Sequence, residues 1–165
     1  MTDKTDRSCP ICAGPEIDLE FERIPVWEDA LWRLTVSIAA EVPGFAYLEP
    51  KRHVAHVTDL DGAEAATFGG VLARCTRVLR EVTGAEVVYV YIFGDGIPHL
   101  HVHLAPHRAG DALNDQMIRG EIVEEKLPTG VTRFTSAEFP PLPHDQLLQV
   151  AEEVRRHMAA PNDAS

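Results

Sequence analysis

Cysteine is scarce in this chain of 165 residues, with three in all. That number is odd and too small for a disulfide framework. Long apolar runs are missing too: none approaches the ~18 residues that a membrane-spanning helix needs. Residues Met1 to Arg7 are polar and of mixed charge, unlike a secretory leader. These absences lead us to expect a cytoplasmic protein with reduced thiols and no membrane partner. Positive charge is also in short supply. Fifteen Lys and Arg stand against 26 Asp and Glu, a formal net charge of −11, so no basic face for nucleic acid is expected. What is present is ordinary globular composition, 45% hydrophobic and 25% charged, in a length that suggests about one domain. A chain of this size buries roughly two-thirds of its unfolded surface and can hold a core without staples.

The patterning predicts an alternation of strands and helices. Ile24 to Trp27, Leu31 to Ile38 and Phe45 to Leu48 are short apolar and β-branched stretches separated by Glu28-Asp29 and Pro43-Gly44, and they read as three strands. After Asp59 or Asp61, either able to cap a helix, Ala65, Phe68, Leu72, Cys75, Leu79 and Val82 recur at steps of three and four until Gly84. This is one amphipathic helix with Cys75 on its core stripe. Gly69 and Gly70 lie in its middle, where close packing against another backbone would explain them. Val87 to Phe93 is apolar nearly throughout, the pattern of a central strand covered on both sides. A turn over Gly94 to Pro98 leads to a strand from His99 to Leu104. Glu121 to Glu125 and Val131 to Thr135 read as a hairpin, and His144 to Met158 as a second amphipathic helix.

The histidines are the concentrated feature. Four of the eight, His99, His101, His103 and His107, fall within nine residues. Successive strand side chains alternate faces, so His99, His101 and His103 line one face while Leu100, Val102 and Leu104 enter the core. Three imidazoles on one face are costly to bury and repel one another when protonated. Imidazole is a nucleophile, titrates near neutral pH and binds metal, so the triad suits either a catalytic relay or a metal site. Near the N-terminus Cys9 and Cys12 stand as C-P-I-C, a spacing of metal or redox chemistry. A Cys-x-x-Cys pair with two distant histidines makes a tetrahedral zinc set, with His99 as one histidine and His53 or His56 as the other.

In their order along the chain, C-P-I-C, P-K-R-H at positions 50 to 53 with the Thr58-Asp59-Leu60 helix entry, the long helix and H-L-H-V-H-L resemble the histidine triad (HIT) family. The resemblance covers about residues 9–107. It implies an α+β, HIT-like fold: a central antiparallel sheet with one long helix and a C-terminal helix, assembled as a homodimer. The chain then divides into a tail at 1–8, a core at 9–107, an extension at 108–158 packed on the same domain, and a tail at 159–165. The zinc-binding branch of the family implies a closed, structural Zn2+ on Cys9, Cys12, His53 and His99. The middle histidine, His101, would attack the α-phosphorus of a nucleotide derivative to form a covalent nucleotidyl-histidine. A backbone carbonyl would orient it, and His103 would stabilise the oxygen where charge develops.

The chain departs from the family pattern around the triad. Family members carry Gly-Gln-Ser or Gly-Gln-Thr just before the histidines; here Gly94-Asp95-Gly96-Ile97-Pro98 stands there, with a carboxylate at 95 and no hydroxyl at 96. Ser37 occupies the place of the acidic residue that meets the ribose hydroxyls, and Gly44-Phe45 replaces a Gly-His. Ser37, Asp95, Gly96 and His107 are therefore the candidate substrate-binding residues, with Arg108, Arg119 and Lys126 as cations able to supply phosphate contacts. The leading expectation is a hydrolase or nucleotidyltransferase acting on a small nucleotide-like substrate, of the dinucleoside polyphosphate or nucleoside phosphoramidate class. The alternatives are an enzyme with a second, catalytic metal on His99, His101 and His103, completed by Asp95 or His107, and a zinc-stabilised binding protein without turnover.

Overall fold

The structure is a computed structural model and describes residues 6, 8–113, 121–130 and 132–161. Its centre is a five-stranded antiparallel sheet of β1 (Arg23–Glu28), β2 (Trp32–Ser37), β3 (Ala46–Pro50), β4 (Val87–Tyr91) and β5 (Val102–His107) in the order β1-β2-β3-β5-β4. Alternation sorts the strands into two faces. Trp32, Leu34, Val36, Ala46, Leu48, Val102 and Leu104 are fully buried on one of them. That face is covered by the long helix α2 (Gly62–Thr83) and by α3 (His144–Ala159), whose Ala151, Val154 and Met158 join the same core. Helix α2 begins after Asp61 and stops at Gly84, whose φ of +67° is the left-handed conformation that glycine adopts without strain. Cys75 is fully buried on its stripe, and Trp32 stacks on Phe68 at 5.5 Å while its Nε1–H donates to Thr67 Oγ1.

Several expectations need correction. The strand expected from His99 begins only at Val102: its pairing with β3 stops at Leu48, and the Leu100 N–H leaves the ladder to donate to Val54 O (2.7 Å). Val87 to Tyr91 is an edge strand, not a central one, with Val87 and Val90 each more than two-fifths exposed. Among the described residues, a Cβ at Gly69 or Gly70 would meet nothing within 4 Å outside the neighbouring backbone of α2, so no other backbone packs closely there. A short helix, α1 (Glu16–Glu20), was not anticipated. The hairpin forms one residue later than expected, as β6 (Ile122–Lys126) and β7 (Thr132–Ser136), with residue 131 outside the described residues. It is a separate two-stranded sheet fastened by Thr129 N–H to Glu20, by the Arg133–Glu22 ion pair and by Ser136 N–H to Glu41. Arg119 and most of the two expected tails lie outside the described residues. Among the described residues no helix is long and apolar enough to cross a membrane.

Candidate functional site

The second face of the sheet is polar and carries the site. Cross-strand register places Thr35, Tyr47, His103 and Tyr91 in one row across it, with Arg33 opposite Glu49 and Arg23 opposite Ser37 in the rows beside. Among the described residues, the buried side-chain polar atoms without a hydrogen bond are Arg23 Nη2, Thr35 Oγ1, Glu49 Oε2 and His103 Nδ1. All four residues belong to this face.

At the end of the sheet where β3 leaves for the loop, the N-terminal segment meets the triad. A 3-10 turn at Ile11–Ala13 holds Cys12 next to Cys9. His99 is buried; its Nε2–H donates to Pro50 O at 2.9 Å, leaving Nδ1 turned to Cys9 Sγ at 3.5 Å and Cys12 Sγ at 3.4 Å. His53 Nδ1 lies 3.5 Å from Cys12 Sγ, and ligand atoms from the four residues all fall within 4.8 Å of one another. A tetrahedral zinc with sulfur at about 2.3 Å and nitrogen at about 2.0–2.1 Å separates S and N by about 3.5 Å. The donor set and its spacing are therefore compatible with a tetrahedral zinc. The Pro50 carbonyl fixes the His99 imidazole in one tautomer, as the outer partner of a metal-ligating histidine would. Burial pushes the Cys12 thiol up to about 11 and His99 down, so a cation is what would draw Cys12 into its thiolate form. Of the two histidines left open by the sequence, His53 joins the cluster. His56 instead stands over Gly94, its Nδ1 3.9 Å from the position of a Cβ there.

His101 sits between this cluster and the aromatic part of the face. Its Nδ1–H donates to His99 O at 2.6 Å. That bond leaves Nε2 as the nitrogen with the free lone pair. Its ring lies 5.2 Å from that of His103. His103 stacks nearly flat on Tyr91, with centroids 4.8 Å apart and planes 8° apart, and meets Tyr47, Phe93 and Phe45 edge-on at 5.3, 5.4 and 6.2 Å. Burial, then the nearby charge of His101, depresses its pKa to about 4. His103 is thus a neutral imidazole at physiological pH.

The other expected residues are more dispersed. Ser37 is buried at the end of β2, its Oγ accepting from Ala39 N–H. The Asp95 carboxylate bends back onto its own loop to accept the Gly96 N–H at 2.7 Å. His107 lies further along β5, beyond Ala105, stacked on Tyr89 and bonded to Asp111 at 2.8 Å. It borders a separate cleft of about 460 Å³ with Glu41 and Arg108. Arg108 is committed to the carbonyl of Thr83. The aromatic surround of His103 was missed from sequence. The alternation of Tyr89, Tyr91 and Phe93 was the available signal, but it shows its meaning only once β4 pairs with β5.

The family model described as the HIT domain matches residues 19–110. The chain belongs to the HIT family. Among curated HIT-related proteins, it is 24% identical to the asymmetrical bis(5'-nucleosyl)-tetraphosphatase of Schizosaccharomyces pombe, over 82% of this chain and 83% of that one. It is 27% identical to the bis(5'-adenosyl)-triphosphatase of Dictyostelium discoideum, over 65% of this chain and 76% of that one. Among solved HIT structures, a Zn-bound histidine triad family protein from Mycobacterium smegmatis superposes with a TM-score of 0.61 at 21% identity, covering 92% of this chain and 94% of the other. A histidine triad protein from Bradyrhizobium japonicum gives 0.65 at 22% identity, covering 85% and 93%.

Proposed function

We propose that this HIT protein is a nucleotidyl hydrolase or transferase that works through a covalent intermediate on His101. The observation that carries the reading is the 2.6 Å bond from His101 Nδ1–H to the His99 carbonyl, which reserves Nε2 for attack. The Nε2 lone pair forms a bond to the α-phosphorus of a nucleotide derivative, and the bond to the leaving group breaks with its electron pair. Neutral His103 donates a hydrogen bond to the bridging atom as charge develops there. Water then hydrolyses the nucleotidyl-histidine, releasing the mononucleotide and restoring His101. The relatives named for dinucleoside polyphosphates support a substrate of the dinucleoside polyphosphate or nucleoside phosphoramidate class. Ser37 would serve the nucleoside, and Asp95 and Gly96 in the loop before the triad would serve the phosphate. His107 would serve the cleft it borders rather than the triad.

Cys9, Cys12, His53 and His99 would hold a structural zinc: with four protein ligands no position is left for substrate. A second, catalytic metal on the triad is disfavoured because both nitrogens of His99 and one of His101 are engaged, while Asp95 and His107 turn elsewhere. The exposed edge of β4 supports a homodimer formed by that strand. The test is His101→Ala: mononucleotide release from a dinucleoside polyphosphate or a phosphoramidate should vanish while zinc stays at one per chain. Turnover persisting in the variant overturns the reading, and tight nucleotide binding by the native protein with no turnover would favour a binding protein.

A further inference from the structure

Phe93 is the most exposed aromatic side chain beside the triad. It is 64% exposed, follows the end of β4, and its ring lies 5.4 Å from His103 and 5.1 Å from Tyr91. The sheet order sets its position relative to the rest of the site. Ser37 ends β2 and Phe93 follows β4, so the two lie on opposite sides of β5, which carries His103. With the nucleoside on the Ser37 side, the Phe93 side is left for the departing group. Gly94, with φ of +68°, turns the chain there and leaves its α-carbon bare beneath His56 Nδ1. The Asp95 carboxylate is folded onto Gly96 N–H.

The contacts of this flank are aromatic: Phe93 meets Tyr91 and His103, and Tyr91 stacks on His103. Among the described residues, Arg23 and Arg33 are paired with Asp18 and Glu49, Lys51 with Glu28, and Arg52 with Asp61 and Glu64. A chain of further phosphates would meet no free cation among these pairs, whereas a flat ring would meet the face or edge of Phe93. Offset or edge-on aromatic contacts of this kind add to simple area burial.

We propose that Phe93 builds a leaving-group subsite that selects substrates in which a planar aromatic group departs from the nucleotide α-phosphorus. The inference rests on the nucleotidyl-transfer reading above. For an amidate, the His101 Nε2–phosphorus bond forms as the P–N bond breaks, the electron pair passes to the amine nitrogen, and that nitrogen takes up a proton from solvent. Water subsequently cleaves the nucleotidyl-histidine.

The test uses two adenosine 5'-phosphoramidates of similar size, one of benzylamine and one of cyclohexylmethylamine, which differ in the planarity of the ring. The native protein should favour the benzyl compound in kcat/KM by about five- to tenfold, mainly through KM. Phe93→Leu should bring the ratio close to one and Phe93→Tyr should preserve it. Equal turnover of the two compounds by the native protein, or an unchanged ratio in Phe93→Leu, overturns the subsite. So does a Phe93→Leu variant that changes only its sedimentation, since Phe93 would then belong to an interface. If the native protein hydrolyses neither compound nor any other nucleotide, or His101→Ala hydrolyses both amidates equally well, nucleotidyl transfer on His101 fails and the subsite with it.

Discussion

His101 and His103 are two residues apart and differ in their surroundings. His101 is oriented by a carbonyl at its Nδ1, whereas His103 lies among Phe45, Tyr47, Tyr91 and Phe93 with no well-formed hydrogen bond at Nδ1. Burial is what moves the His103 pKa down to about 4, against about 6.5 for an unperturbed histidine. Between those two values the unfolded chain binds a proton at this position and the folded chain does not, so stability rises with pH there. The contribution is fully present above about 6.5 and is lost as pH falls toward about 4. Urea midpoints of the native protein and His103→Asn, compared across that window, should show a steeper acid loss in the native protein; parallel curves would contradict it. The four proposed zinc ligands carry a second prediction at this scale. Cys12→Ser leaves a weaker donor in a buried cluster, so the variant should lose zinc and melt at a lower temperature, as should the native protein after chelation. Metal analysis and thermal unfolding check both outcomes.

Between strands, the polar face is held by a buried charge cluster that spans elements far apart in sequence. Arg23 of β1 donates to Asp18 of α1 at 2.8 Å and to Glu49 of β3 at 2.6 Å, while Arg33 of β2 reaches both carboxylates. Burial opposes the charge on Arg23, but Glu49 and Asp18 outweigh it and hold its pKa up. Removing one member of such a set strands the others in a dry interior, which costs about 3–5 kcal/mol. Arg23→Ala should therefore lower the unfolding free energy by about that amount in urea titrations, whereas an exposed pair such as Lys51–Glu28 should contribute about 1 kcal/mol or less. This cluster was not legible in the sequence, because Arg23, Arg33 and Glu49 come together only through strand register and Asp18 only through the packing of α1 on β1. The α2 helix, the C-x-x-C pair and the alternating histidines were legible, since each is written in local spacing. The late start of the expected His99 strand was not: it depends on the Leu100 N–H bonding to Val54 O, far away in sequence.

At the scale of the whole molecule, the apolar run at Val87 to Phe93 shows how a local pattern can mislead. Apolar residues on both faces read as a covered central strand, yet the sheet order makes β4 an edge with Val87 and Val90 partly exposed. A second copy of the chain could cover that edge, as the homodimer expectation requires. Sedimentation at micromolar concentration should then give twice the 18.2 kDa of one chain, and a Val87→Lys/Val90→Lys variant should sediment as a single chain. The net charge of −11 acts over the same scale. An anionic nucleotide approaches against a repulsive field that local pairing of Arg23, Arg33 and Arg52 does little to offset. Salt screens that field, with a Debye length of about 30 Å at 0.01 M falling to about 10 Å at 0.1 M. The kcat/KM for an anionic nucleotide should therefore rise with ionic strength over this range, the reverse of an enzyme that steers its substrate with positive charge. A fall in kcat/KM with added salt would instead place attractive charge at the mouth of the site.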